Sequence, residues 1–253
     1  MRSKSHLFLV FFLMFCYHGF AQTSSFMDYQ KKFPRVINAL KTKEDTLKKQ
    51  FAEAKLQWPP QQIYIRSFKY DSQLEVWVRN NSHEDYKLFK TYKVCALSGS
   101  LGPKRMQGDF QVPEGFYYIN DYNPKSEYHM SLGINYPNAS DLLLSDSARP
   151  GSEIYIHGKC TTVGCIPIMD IPMEELYILT SYAKQNGEDF IPVHIFPIKY
   201  NVVKSSEKLN LITKDDREYR LFTEKLKEVF DYFEQHKQLP IISINNQGDY
   251  VIM

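Results

Sequence analysis

Four short segments between residues 62 and 120 have the composition of β-strands, and clusters of polar residues, glycine and proline separate them. Residues 75–79 alternate polar and apolar side chains, which is the pattern of a strand with one buried face. Strands separated by such turn residues predict a mostly antiparallel sheet. The 18 tyrosines and 17 phenylalanines suit a sheet-rich core with a groove for an extended ligand. The segments cover residues 62–70, 74–79, 86–97 and 115–120.

Helical patterns flank this region. Residues 28–56 space apolar side chains as one or two helices would, and the run Trp58-Pro59-Pro60 ends them because proline cannot continue a helix. Residues 172–184 predict a further helix. Residues 218–236 predict an amphipathic helix, whose apolar stripe we expect to pack on its own domain rather than to dock another envelope protein. Residues 241–252 predict a terminal hairpin.

The first 21 residues have the order of a secretory signal peptide. Arg2 and Lys4 precede an apolar run over residues 7–15, and Gly19-Phe20-Ala21 fits a cleavage site. The apolar run is much shorter than the roughly 20 residues that span a bilayer. We therefore expect an exported protein, in the periplasm or cell envelope, with no membrane span after cleavage.

Cleavage would lower the formal charge from +2 to zero. Proteins that bind nucleic acid usually carry an excess of basic residues, so this charge gives no reason to expect nucleic acid as a partner.

Three cysteines follow the signal peptide: Cys95, Cys160 and Cys165. An odd number leaves at least one thiol unpaired, and in an oxidising compartment such a thiol is either buried or kept for its chemistry. Because Cys95 lies in a predicted strand, we expect it to be a buried core thiol.

Residues 157–168, HGKCTTVGCIPI, concentrate the reactive side chains. One reading is zinc bound by His157, Cys160 and Cys165, although no fourth ligand has a paired spacing. A second is a Cys160–Cys165 disulfide across a short loop. The third is a nucleophile: a nearby imidazole can take a proton from a thiol, and the backbone around Gly164 can approach a substrate carbonyl. A histidine and a cysteine eight residues apart do not decide among these readings.

The pattern His157-Gly158, a spacer, then Thr162-Val163-Gly164-Cys165 and an apolar residue resembles the active-site signature of the L,D-transpeptidase (YkuD) family. The short spacing of residues 157–165 is similar to the YafK-like branch, as are residues 113–119, 131–138 and 192–197. The resemblance covers about residues 61–200. It implies an L,D-transpeptidase-like β-sandwich or barrel core, so the expected fold is mostly β with N- and C-terminal helical appendages.

By this resemblance, Cys165 is the nucleophile and His157 the general base and acid. Gly164, Gly158 and Thr162 would support the loop or the oxyanion site. The family pattern has a second histidine where Val163 stands, and often an arginine where Pro167 stands. These two departures concern the binding of a substrate carboxylate.

The resemblance also implies an enzyme without cofactor or metal, a cysteine acyl-transferase acting on peptidoglycan stem peptides at diaminopimelate. The alternatives are an L,D-carboxypeptidase or amidase that hydrolyses the same kind of bond, and a non-catalytic cell-wall binding module. A peptidoglycan-attached envelope protein is a further expected partner.

The resulting division of the chain has four parts. Residues 1–21 are the signal peptide and 22–58 an N-terminal helical segment. Residues 59–200 are the catalytic domain, and 201–253 a C-terminal helix and hairpin packed on it.

Three further expectations concern a long loop and two histidines. Residues 121–151 carry several turn signals and predict a long loop over the groove. His194, in an apolar strand, is expected to be a core histidine rather than a catalytic group. His129 is either a groove residue or an ordinary loop residue.

Overall fold

The computed structural model describes residues 25–253, and the predicted signal peptide lies outside them. No helix among these residues has the length and apolar character needed to cross a membrane.

One eight-stranded sheet organises the described chain. Its strands are β1 (Gln62–Phe68), β2 (Gln73–Arg79), β3 (Lys87–Lys93), β4 (Gly115–Asn123), β5 (Ser131–Ile134), β6 (Tyr155–His157), β7 (Ile166–Pro167) and β8 (Pro192–Phe196). In space they follow the order β3-β2-β1-β8-β4-β5-β6-β7. Five of its seven strand pairings are antiparallel, and β1 with β8 and β6 with β7 are parallel. The predicted sheet-rich fold with flanking helices is therefore confirmed.

The long strand β4 belongs to both halves of this sheet. Its first residues, 115–118, pair with β8, and residues 119–123 pair with β5, with a shift of register between Ile119 and Asp121. An irregularity of this kind bends a strand and increases its twist. The two ends of the strand order meet: the Cys95 amide, just after β3, donates a hydrogen bond to the Pro167 carbonyl in β7 at 3.0 Å. The sheet is thus curled into a half-barrel whose two ends approach each other.

Six helices accompany the sheet in the described residues: α1 (Phe26–Gln30), α2 (Pro34–Glu53), α3 (Ala139–Leu144), α4 (Asp170–Gln185), α5 (Val203–Thr213) and α6 (Arg217–His236). Helix α2 buries Leu47 and Phe51 in the main core, which also takes in much of α4. The apolar side of α6 buries Leu226 and Phe230 in a second cluster with Phe68 of β1. The stripe of α6 therefore packs on its own domain, as predicted. Strands β9 (Ile242–Ile244) and β10 (Tyr250–Ile252) form the expected antiparallel hairpin.

The prediction of a long loop over residues 121–151 is wrong. This stretch contains the end of β4, the whole of β5 and helix α3. All four residues of β5 are buried, so its short sequence shows no alternation. Asn138 begins α3 with a capping box, in which its side chain accepts from the Asp141 amide and Asp141 accepts from the Asn138 amide. The run that suggested only a turn is therefore a helix start.

Candidate active site

Strands β6 and β7 bring His157 and Cys165 to one cleft. Ile156 pairs with Ile166 and His157 with Pro167, so Cys165 lies beside Tyr155 at the entry to β7. The Tyr155 amide donates a hydrogen bond to the Cys165 sulfur at 3.4 Å. Ile156 and Ile166 are fully buried, and alternation along β6 directs Tyr155 and His157 to the opposite face. The local strand pairing therefore accounts for the position of both predicted residues.

The Cys165 thiol is free and half-buried. It donates a hydrogen bond to the Glu153 carbonyl at 3.7 Å. Burial raises the pKa of Cys165 above its ordinary value, and the Tyr155 amide opposes this shift by stabilising the thiolate. At neutral pH the group is thus mainly a thiol and needs a base to become a nucleophile.

His157 is 3% exposed. Its Nδ1 lies 2.5 Å from the Gly158 carbonyl, so we assign the proton to Nδ1 and leave the Nε2 lone pair as an acceptor. The Tyr128 ring packs on the imidazole, with the ring centroids 4.7 Å apart. Burial lowers the pKa of His157, which keeps the ring neutral at neutral pH and able to accept a proton. Among the described contacts, no hydrogen bond yet joins this ring to the Cys165 thiol.

The loop between the two residues is held partly by Thr162 and Gly164. Thr162 Oγ1 donates to the Cys165 carbonyl at 2.8 Å and accepts from the Gly164 amide at 3.1 Å. Because that amide is already bonded, Gly164 supports the loop in this state instead of offering a donor to an oxyanion. Its φ of +141° favours glycine, and a Cβ there would lie 3.1 Å from the Gln111 carbonyl oxygen.

Gly158 allows a close approach behind His157. A Cβ at this position would lie 2.7 Å from Asp170 Oδ1 and 2.8 Å from the Tyr128 carbonyl oxygen. The glycine that follows the histidine is therefore required by packing.

Cys160 is bonded to Cys95, with their Cα atoms 5.7 Å apart. The prediction that Cys95 is a buried core thiol is wrong, because β3 ends at Lys93 and the chain then runs beside β7, where Cys95 is half-buried. This pairing also overturns the Cys160–Cys165 disulfide and removes the Cys160 thiolate that zinc would need. Across residues 25–253, no group of three His, Cys, Asp or Glu side chains is placed to hold a metal.

His157 and Cys165 line a cleft of about 400 Å³. Its lining mixes charges of both signs, with Lys125, Glu127 and Glu153, and adds the rings of Tyr128 and Tyr155. Sequence reasoning missed all five. Tyr155 had a signal, since it lies two residues before His157 on the same strand face. Glu153 lies just before this strand, and the other three depend on how residues 123–131 fold against β6. The remaining lining residues are Asn123, Ser126, Ser131, Thr161, Thr162 and Val163.

A second cavity, of about 950 Å³, lies between α6, the terminal hairpin and residues 101–105. Neither His157 nor Cys165 lines it. Despite its larger size, it contains none of the predicted reactive groups.

Comparison with known proteins adds evidence from outside the site. No family model matches the chain. It is 34% identical over 192 residues to "Putative L,D-transpeptidase YafK" of Escherichia coli strain K12, across 75% of this chain and 73% of that protein. The chain belongs to the L,D-transpeptidase family. The family predicted from the motif at residues 157–166 is thereby confirmed, including its YafK-like branch.

Two solved structures resemble this L,D-transpeptidase family member more weakly. The helical cell shape determining protein Pgp2 of Campylobacter jejuni is 19% identical, with a TM-score of 0.43, covering 73% of each chain. Bd1075 of Bdellovibrio bacteriovorus is 19% identical, with a TM-score of 0.41, covering 74% of this chain and 78% of its own. At these scores neither likeness adds to the assignment.

The two departures from the family pattern have different surroundings. Val163 is 69% exposed at the cleft, whereas Pro167 is buried in β7. Neither position supplies a cation, and Lys125 is the lysine that lines the cleft.

Two other histidines lie away from the cleft of this L,D-transpeptidase family member. His194 is buried in β8 and its Nδ1 is 2.8 Å from the Tyr64 hydroxyl. Burial lowers the pKa of His194 to about 3, as suits the core histidine that was expected. His129 Nε2 lies 3.0 Å from Glu174 Oε1 in α4, so it ties a loop to a helix.

Proposed function

We propose that this protein is an exported cysteine acyl-transferase of the cell envelope that acts on peptidoglycan stem peptides at diaminopimelate. The observation that carries the proposal is the free Cys165 thiol in one cleft with a buried, neutral His157. Membership of the L,D-transpeptidase family supports the substrate class. Because peptidoglycan gives the cell envelope its form, cell shape is the process that such a reaction would affect.

The first step of the proposed reaction uses the neutral pair. Cys165 turns from the Glu153 carbonyl, gives its proton to His157 Nε2, and its sulfur forms a bond to the carbonyl carbon at the L-centre of diaminopimelate. The carbonyl electrons move to oxygen and then return as the C–N bond to the next residue breaks. His157 returns the proton to the departing amine, which leaves a thioester on Cys165.

The second step resolves the thioester. An amine acceptor, deprotonated by His157, forms a new amide and releases Cys165 as the leaving group. If water is the acceptor, the product is a free carboxylate and the enzyme is a carboxypeptidase or an amidase. Both outcomes share the same acyl-enzyme, so the acceptor distinguishes the transferase from the hydrolase.

The cleft suits a substrate with charges of both signs. Lys125 can face a carboxylate, and Glu127 or Glu153 can face an ammonium group. The unlinked D-centre of diaminopimelate carries both groups. This complementarity supports a stem peptide over a neutral glycan as the part that enters the cleft.

Product analysis with tetrapeptide muropeptides tests the proposal. The native protein and Cys165→Ala are incubated with substrate, with and without an added amine acceptor, and the products are identified by mass. Cross-linked or amine-exchanged products indicate a transferase, and shortened peptides alone indicate a hydrolase. If neither protein changes any muropeptide or envelope-protein-linked peptide while both bind cell wall equally, the chain is a binding module and the enzymatic proposal is refuted.

A carbapenem provides an independent readout of the nucleophile. We expect the intact mass of the native protein to increase by one covalent adduct, and Cys165→Ala to remain unmodified. An adduct on the variant would place the nucleophile elsewhere. Thermal melting of both proteins checks that the substitution leaves the fold intact.

A further inference from the structure

The disulfide between Cys95 and Cys160 joins the two ends of the sheet at the candidate active site. Cys95 follows β3, the first strand of the spatial order, and Cys160 precedes β7, the last. Beside it, the Cys95 amide donates to the Pro167 carbonyl at 3.0 Å. The covalent bond therefore lies where the two ends of the curled sheet approach each other.

The same disulfide ends on the loop between His157 and Cys165. Lys159, Cys160, Thr161 and Val163 of this loop are exposed, so burial of apolar side chains does little to hold it. Lys159 is held by its amide to Asp170 Oδ1 at 2.7 Å and by its carbonyl to the Met169 amide at 3.2 Å.

Beyond Lys159 the loop has fewer attachments. Thr162 bonds only within the loop, to Gly164 and to the Cys165 carbonyl. In the described contacts, the disulfide links residues 160–163 to the segment that follows β3. Its loss would leave the chain before Cys165 tied mainly to itself.

We propose that Cys95 and Cys160 are positioning residues for the reaction, and that their disulfide holds the loop so that Cys165 stays in the cleft with His157. This inference rests on the proposed function, because the group it positions is the proposed nucleophile. It assigns to the second cysteine of the motif a role distinct from both metal binding and attack. Neither cysteine of the disulfide lines the cleft.

A purely stabilising disulfide makes different predictions from a positioning one. If it only stabilises the fold, its removal lowers the melting temperature and leaves the chemistry of the folded protein unchanged. If it positions the loop, its removal changes two properties of the folded protein, turnover and the accessibility of Cys165, in opposite directions. Turnover falls because Cys165 leaves its place, whereas small reagents reach the sulfur more easily.

The pH dependence of alkylation follows from the burial of Cys165. Burial raises the pKa of this thiol in the intact loop. A loosened loop exposes the sulfur, so the pKa moves back toward that of an ordinary cysteine. The alkylation profile should then shift to lower pH.

The experiment compares the native protein with the double variant Cys95→Ser/Cys160→Ser. Both contain Cys165 as the free thiol of the exported chain, so alkylation reports on this residue alone. Ser140→Ala is the matched control, since it loses a buried hydrogen bond to the Gly248 carbonyl, away from the cleft. All three are assayed well below their melting temperatures.

We expect the double variant to lose at least tenfold in kcat with muropeptides, with KM changed less than threefold. Iodoacetamide should alkylate its Cys165 at least threefold faster at pH 7, with the pH profile shifted down. Ser140→Ala should melt earlier and keep the native kcat and alkylation profile. A folded double variant with native kcat and a native pH profile overturns the proposal.

Reduction of the native protein supplies a second test if the double variant does not fold. Dithiothreitol transfers two electrons and two protons to the disulfide, giving the Cys95 and Cys160 thiols and oxidised dithiothreitol. We expect reduced, still folded protein to lose turnover and to regain it on reoxidation. Unchanged turnover after complete reduction, established by mass, contradicts the proposal.

The two proposals fail in different ways. If no muropeptide is processed by any form, the acyl-transferase assignment fails, yet the alkylation profile of Cys165 still tests the positioning role. If turnover is found, and reduction changes neither the turnover nor the alkylation profile of Cys165, only the positioning role fails.

Discussion

Replacing Gly164 by alanine tests whether the backbone before Cys165 must be shaped as the structure shows. Gly164 has a φ of +141°, a region that residues with a Cβ rarely occupy, at a cost of about 1–3 kcal/mol. For a domain of this size, such a loss lowers the melting temperature by about 2–12 °C. The added Cβ would also lie 3.1 Å from the Gln111 carbonyl oxygen, a backbone atom that cannot rotate away.

The contact between the added Cβ and Gln111 should also lower the rate of the reaction. Relieving the contact requires a shift of a few tenths of an ångström, and the adjacent Cys165 moves with it. Since misplacement by one ångström can cost about a hundredfold in rate, we expect Gly164→Ala to lower kcat/KM with muropeptides by about tenfold.

Gly102→Ala is a closely matched control. Gly102 has a φ of +135°, nearly that of Gly164, and a Cβ there would meet no atom within 4 Å. It should show a similar loss of stability with kcat/KM within twofold of the native value. The reasoning is refuted if Gly164→Ala keeps native kcat/KM, or if Gly102→Ala loses activity to the same extent.

Three further predictions concern charge. Burial lowers the pKa of His157, so we expect kcat/KM to fall on the acid side with an apparent pKa below 6.5, and His157→Gln to lack this acid limb. An acid limb above pH 6.5 in the native protein contradicts this prediction. Burial raises the pKa of Asp141 to about 6 from 3.8, so folding favours its protonated form, and the free energy of unfolding should fall by about 2 kcal/mol as pH rises from 4 to 7. Denaturant titrations of Asp141→Asn should lack this component. Glu75→Ala removes the carboxylate 2.7 Å from the buried Arg66 guanidinium and should cost about 3–5 kcal/mol, against about 0–1 kcal/mol for the exposed Glu228→Ala.

Regular periodicity made some elements predictable. The alternation of residues 75–79 predicts strand β2, but the expectation of a single buried face is wrong, because residues 74–78 are all buried. The stripe of residues 218–236 matches the buried side of α6 (Arg217–His236). Helix α5 (Val203–Thr213) was missed because it lacks the usual start signals: Val202 at its N-cap makes no side-chain bond, and its first turn has no acidic residue.

The cysteine pairing could not be predicted for a different reason. Cys95 and Cys160 are 65 residues apart, and their bond depends on the two ends of the sheet meeting. Sheet closure is a property of the whole strand order, which local patterns do not contain. The predicted roles of His157 and Cys165, by contrast, needed only the motif and its resemblance, and the structure brings both residues to one cleft.

In the cleft without substrate, the Cys165 thiol and the His157 imidazole are both neutral, which affects substrate specificity. Burial raises the pKa of Cys165 and lowers that of His157, so both shifts oppose a thiolate beside an imidazolium. The thiol is hydrogen-bonded to the Glu153 carbonyl, and the proposed attack requires this bond to break first. A substrate that displaces this hydrogen bond and places its carbonyl near the sulfur would free the thiol to give its proton to His157. We therefore expect substrates with the charged D-centre intact to raise kcat, and not only to lower KM, relative to truncated peptides.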